Sequence, residues 1–125
     1  MHINEVSEEI IGGSICVHSA FGPGLLESAY KAALAHELRK RGLRVEAEVP
    51  VPVIYDGVNL GVGFRIDQLV EGCVIVEAKA VMRMTDLHDA QTISHPVLSK
   101  HRLALRINFN VRRLKHGIRR FANNL

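Results

Sequence analysis

The stretch GFRIDQLVEGCVIVEAKAV, residues 63–81, decides how this chain is read. Two apolar, β-branched runs flank Glu71-Gly72, the pattern of a hairpin whose strands head into a core. The returning run carries Glu77 and Lys79 two residues apart, and strand alternation puts both on one face. Asp67 lies on the outgoing run. Pairing register decides whether the two acids meet. With Glu71-Gly72-Cys73 as the loop, residue 70 faces residue 74 and Asp67 faces Glu77. With Glu71-Gly72 alone, Asp67 faces Val76 and Glu77 points to the other side. A site built from both carboxylates therefore requires a three-residue loop or a bulge.

Like charges directly opposed across a ladder are destabilising, and burying them unpaired costs more still. A divalent cation removes the conflict. Mg²⁺, or Mn²⁺ in its place, binds through one or two carboxylates and keeps waters that a phosphate oxygen can replace. Lys79 would then orient or deprotonate a water, or neutralise charge at the phosphate. The plainer alternative is an ion pair on an exposed sheet face. The flanks Val74, Ile75, Val76, Ala78 and Ala80 argue against a solvated face.

Outward from the hairpin, the pattern changes. INEVSEEIIGGSICVHSAFG reads as a first helix over residues 4–20, which Gly12-Gly13 weaken. FGPG is a turn. LLESAYKAALAHELRKRG reads as a second helix over residues 25–41, with a basic last turn and Gly42 just beyond it. On it Glu27, Tyr30, Leu34 and Leu38 share a face, so Glu27 is at least partly buried and could be aimed at the same metal. The helix dipole also favours a carboxylate in a first turn. Residues 43–57 alternate and carry Pro50 and Pro52, as edge-like strands do. TDLHDAQTISHPVLSK reads as a third helix with Thr85 as N-cap and Pro96 kinking or interrupting it. It presents His88, Gln91 and His95 on one face, where Gln91 could bond a phosphate or the attacking water. RLALRINF is a further strand, and IRRFA is a short strand or a last helical turn. The order α-α-β-β-β-β-α-β, plus a short basic C-terminal element, makes residues 1–125 one α/β (α+β) domain with a mixed central sheet flanked by helices.

Charge is distributed unevenly. Residues 90–125 hold Lys100, Arg102, Arg106, Arg112, Arg113, Lys115, Arg119 and Arg120 and no Asp or Glu. Such asymmetry points to a polyanion, DNA or RNA, as partner. The absence of Trp makes aromatic stacking on bases a minor mode. Cys16 and Cys73 lack metal-ligand spacing. No basic segment leads into an apolar run at the N-terminus, and no apolar stretch spans a bilayer, so a cytoplasmic protein with reduced cysteines and no membrane is expected.

GLLESAY, Gly24 to Tyr30, is a G-x-x-E-x-x-Y motif. Together with GPGLLESAY, GFRIDQLVEGCVIVEAKAV and INFNVRRLKHGIRR, it makes the chain resemble, over nearly its full length, the GxxExxY proteins. These are grouped with the PD-(D/E)XK nuclease superfamily. The resemblance implies a restriction-endonuclease-like core and a metal-dependent phosphodiesterase. It maps the paired acids to Asp67 and Glu77, the lysine to Lys79, the helix carboxylate to Glu27 and the polar residue of the following helix to Gln91. The family's helix commonly carries Tyr where His95 stands beside Pro96 here, so a shorter or bent helix is expected.

The leading expectation is a Mg²⁺- or Mn²⁺-dependent nuclease. Asp67, Glu77 and Glu27 would hold the metal, and the basic stretch, including Lys100, Arg102, Arg106, Arg112, Arg113 and Lys115, would grip the phosphates. The rivals are a nucleic-acid-binding or accessory module without turnover and a structural or protein-interaction domain. The small size favours the accessory module or a homodimer whose two sites cut two strands.

Overall fold

The computed structural model describes residues 1–123. Along the chain run α1 (Ile3–Phe21), α2 (Glu27–Lys40), β1 (Val45–Tyr55), β2 (Val58–Val70), β3 (Val74–Lys79), α3 (Asp86–Ser99), β4 (Leu103–Asn108), a 3₁₀ turn (Leu114–His116) and β5 (Ile118–Ala122). One sheet holds the strands in the order β1-β2-β3-β4-β5. Neighbours are antiparallel except β3 and β4, which are parallel. A parallel connection must cross back over the sheet, and residues 80–102 do so through α3. The mixed α+β architecture is the one expected, with a difference in count: three strands, not four, precede α3. Pro50 and Pro52 do not divide β1. It is an edge strand, where a missing N–H forfeits no second neighbour, and its pairing with β2 shifts beside Pro52. IRRFA is strand β5.

The two N-terminal helices pack on each other and on one sheet face. α1 buries Val6, Ile10 and Val17, and its Gly13 lies against α2: a Cβ there would come within 2.9 Å of Leu38 Cδ2. The glycine that weakens the helix pattern thus permits close packing. On α2, Tyr30 is fully buried and stacks on Phe109 with ring centroids 4.6 Å apart. Its hydroxyl donates to Gly22 O at 2.6 Å and accepts from Leu25 N at 3.1 Å, pinning the turn between the helices. Burying side chains of this size contributes about 1.5–3 kcal/mol each.

Under these helices lie Val45, Val70, Val74, Val76, Ala78, Leu103, Leu105 and Ile107. The opposite sheet face carries a smaller cluster of Val51, Ile66, Leu69, Ile75, Ala104 and Phe121. β1 and β2 change faces midway. Val45 and Val70 belong to the first cluster, yet Val49, Val51, Phe64 and Ile66, of the same parity, belong to the second. The change falls at Glu48, whose φ is 53°, where the ladder lapses between Ala47↔Gln68 and Val49↔Ile66. Asp67 stands opposite that residue. Beyond it the β1–β2 ribbon runs past the other strands and leaves Ile54, Tyr55, Val58, Leu60 and Val62 exposed.

α3 lies on the second face. Thr85 caps it in a reciprocal box with His88: Thr85 Oγ1 accepts from His88 N, and His88 Nδ1 accepts from Thr85 N. The helix runs through Pro96 to Ser99, so the proline does not end it. Pro96 O then accepts from the N–H groups of Lys100 and His101. No helix among the described residues is long and apolar enough to cross a membrane.

Candidate functional site

The hairpin joining β2 to β3 sets the geometry. Glu71 and Gly72 both have positive φ, 52° and 65°, and Cys73 N donates to Val70 O at 3.1 Å. That closes a tight turn with two central residues. The ladder nevertheless resumes with Val70↔Val74, Leu69↔Ile75 and Gln68↔Val76. Cys73 is the extra residue, a bulge on the returning strand. The ladder ends at Gln68↔Val76, one step short of Asp67 and Glu77, and the Asp67 carboxylate meets Lys31 of α2 at 3.4 Å. β3 sends Val74, Val76 and Ala78 under the N-terminal helices. Ile75, Glu77 and Lys79 therefore share the other face, beneath α3.

Glu77 is 3% exposed. Thr92 Oγ1, on α3, donates to its Oε2 at 3.0 Å. Its Oε1 faces His95 Nδ1, one helical turn further on. The His95 ring stacks flat on Phe64 of β2, with centroids 4.1 Å apart and planes within 4°. Burial pushes the Glu77 carboxyl up, but the His95 and Thr92 bonds and the nearby charges outweigh it and hold the pKa below its ordinary value. Asp67 goes the other way. Burial drives its carboxyl up, Lys31 pulls it down, and the charge of Glu77 pushes it up again, leaving it raised. The charge of Glu77 thus adds to the cost of ionising Asp67. Lys79 is half-buried beside them, and its charge favours the ionised form of both.

The remaining candidates are dispersed. Glu27 is half-buried at the first position of α2 and touches neither carboxylate among the described residues. Gln91 is exposed on α3, and the helix turns Thr92 and His95 to Glu77 instead. Among the described residues no group of three or more His, Cys, Asp or Glu side chains is gathered to hold a metal ion. The basic residues also separate. Arg106 does not face solvent: it is 3% exposed, its Nη1 donates to Asp89 Oδ1 at 2.7 Å, and its guanidinium lies over Phe121. Lys100 and Arg102 are exposed where β4 begins, near the hairpin turn. Arg112, Arg113 and Lys115 are exposed in the segment after β4. That segment starts beside Lys79, because Phe109 N donates to Lys79 O at 2.9 Å.

Two contributors escape a sequence reading. Thr92 looks like an ordinary helix residue; only its position three before His95 hints at a shared face. Asn108, 6% exposed, accepts from Val81 N and Asn110 N and donates to Val81 O, so it fastens the ends of β3 and β4 together.

Comparisons with known proteins give one match. A family model described as the PD-(D/E)XK nuclease superfamily matches residues 4–121. No curated protein and no solved structure matches the chain.

Proposed function

The chain belongs to the PD-(D/E)XK nuclease superfamily, and from that membership we propose that it hydrolyses phosphodiester bonds in DNA or RNA at a centre built on Asp67, Glu77 and Lys79. One observation supports the reading: the bulge at Cys73 keeps Val70 opposite Val74, the register that a site built from both carboxylates requires. The two carboxylates are hard oxygen donors suited to Mg²⁺ or Mn²⁺, with waters and phosphate oxygens completing the shell. When bound, the ion would polarise the phosphate and acidify a water.

The chain's own groups have separate tasks. Thr92 and His95 hold the Glu77 carboxylate in one orientation, as outer partners hold a metal ligand. Lys79, on the same strand face, takes the charge that develops on the phosphate or orients the attacking water. Arg112, Arg113 and Lys115 draw the backbone toward the end of the sheet where Lys79 lies. Glu27 and Gln91 would act from the rim, on water or phosphate. On a duplex, a homodimer would give each strand its own centre.

A second reading has its own support. Glu77 Oε2 already accepts from Thr92 and Oε1 lies against His95, which suits a nucleic-acid-binding module without turnover. Purified protein incubated with single- and double-stranded DNA and RNA, in Mg²⁺, Mn²⁺ or EDTA, separates the two. Hydrolysis requires cleavage that EDTA abolishes and that Glu77→Ala and Lys79→Ala each remove. Salt-sensitive binding without metal-dependent cleavage establishes the module, and cleavage surviving both substitutions rules out this centre.

A further inference from the structure

Past Gln68 the sheet narrows to two strands. β3 pairs with β2 at Val70, Leu69 and Gln68, while β1 and β2 stay paired out to Tyr55↔Val58. A two-stranded ribbon alone is marginally stable in water and needs an apolar cover. α3 supplies one at the root, where His95 stacks on Phe64. The tip stays uncovered: Ile54, Tyr55, Val58, Leu60 and Val62 are each more than half exposed. Both faces of the tip are apolar, because Ile54 and Tyr55 are successive residues of one strand and point to opposite sides. Between Val49 and Phe64 the only charged residue is Asp56, in the turn.

α3 carries the complementary anomaly. It meets the sheet through polar side chains, Asp89 to Arg106 and Arg119, and Thr92 and His95 to Glu77. Leu87, Ala90, Ile93 and Val97 recur every three or four positions, the spacing of one helix face, and all four are exposed. The chain thus holds a strand pair that lacks a helix and a helix stripe that lacks a sheet. An uncharged ribbon meets no like-charge repulsion from a second copy. With Leu87, Ile93 and Val97, the large apolar side chains of the two patches number eight. At on the order of 100 Å² each, they amount to the ~800 Å² that each partner gives to a standard interface.

We propose that two copies of this chain form a dimer in which the β1–β2 ribbon of each lies on the outward face of the other's α3. The two contacts are one contact repeated by a two-fold axis, so the assembly closes at two chains and does not grow into a fibre. Phe64, at the root of the ribbon, stacks on the histidine that faces Glu77, so the second chain sits next to the candidate centre. The dimer does not depend on that centre being catalytic.

Sedimentation velocity and light scattering of the full chain test this. The wild type is expected at twice the 13.9 kDa of one chain. Leu60→Glu on the ribbon and Ile93→Glu on α3 should each weaken association by on the order of 100-fold or more, since each buries an unpaired charge. Both side chains are exposed in the single chain, so circular dichroism should stay unchanged. Tyr55→Glu and Leu87→Glu repeat the test at a second position of each element. Mixing the Leu60→Glu and Ile93→Glu chains should restore association in part, because one unaltered ribbon then meets one unaltered helix. A wild type that stays monomeric up to about 100 μM overturns the proposal. So does a dimer that only the ribbon variants break, which pairs ribbon with ribbon, or that only the helix variants break, which pairs helix with helix. A mixture that associates no better than its parts also overturns it.

Discussion

Glu77 is a buried carboxylate whose position is set by residues on two other elements, Thr92 and His95 on α3 and Phe64 on β2. Thr92→Val keeps shape and removes the hydroxyl that reaches Glu77 Oε2 and the His88 carbonyl. Outer partners of a metal ligand are worth about 10- to 100-fold in affinity or rate, and Thr92→Val is expected to weaken Mn²⁺ binding or metal-dependent cleavage within that range; titration calorimetry and a steady-state assay read it. The pairing of Val70 with Val74 was legible from loop arithmetic, because strand period is fixed and only the number of residues in the turn was open. Which side of α3 meets Glu77 was not. Its large apolar residues Leu87, Ile93 and Val97 are 68%, 51% and 56% exposed, while Thr92 and Pro96 are buried. A pattern that assigns apolar residues to the core therefore does not find the face that carries Thr92.

At the scale of elements, ion pairs and one buried hydroxyl hold the layers in place. Asp89 on α3 accepts from Arg106 of β4 at 2.7 Å and from Arg119 of β5 at 3.0 Å, and both guanidinium groups lie over Phe121. The Arg106 bond leads in lowering the Asp89 pKa; burial opposes it, and Arg119 adds to the lowering. The folded state therefore prefers the ionised form. This stabilisation is complete above the ordinary carboxylate value of 3.8 and is lost as pH falls below it through the lowered folded pKa. Thermal midpoints of Asp89→Asn should accordingly fall less steeply than those of the wild type over that acidic interval; parallel curves would remove Asp89 from the account. Tyr30 does the corresponding task for the N-terminal helices. Tyr30→Phe leaves Gly22 O and Leu25 N without their partner, so a loss of about 1–3 kcal/mol is expected in urea denaturation. The tyrosine of the G-x-x-E-x-x-Y motif is thereby given a structural duty. The face exchange at Glu48 had no signal in the sequence, since a left-handed glutamate in a strand follows no local propensity.

For the whole molecule, the long uncharged and alternating runs made a mixed sheet with packed helices readable from period alone. The edge character of β1 was legible from Pro50 and Pro52, while the number of strands before α3 was overestimated by one. The basic C-terminal third was legible as a composition but not as a surface. Folding buries Arg106, sends Lys100 and Arg102 toward the hairpin turn, and leaves Arg112, Arg113 and Lys115 in the segment that starts beside Lys79. If these last three each meet a phosphate, replacing all of them with Ala should lower nucleic-acid affinity. It should also flatten the slope of log affinity against log salt by about 2–3. Filter binding at several salt concentrations measures both.

The parallel pairing of β3 with β4 also orders events in time. β1, β2 and β3 follow one another through short turns, so their pairing closes small loops. β3 and β4 meet only after residues 80–102 have looped back. Closing that longer span is the slower step in assembling contacts of this kind. Glu77 thus enters its strand early and acquires Thr92 and His95 late. A chain emerging from synthesis would carry Glu77 in its strand but unheld until the crossover helix settles.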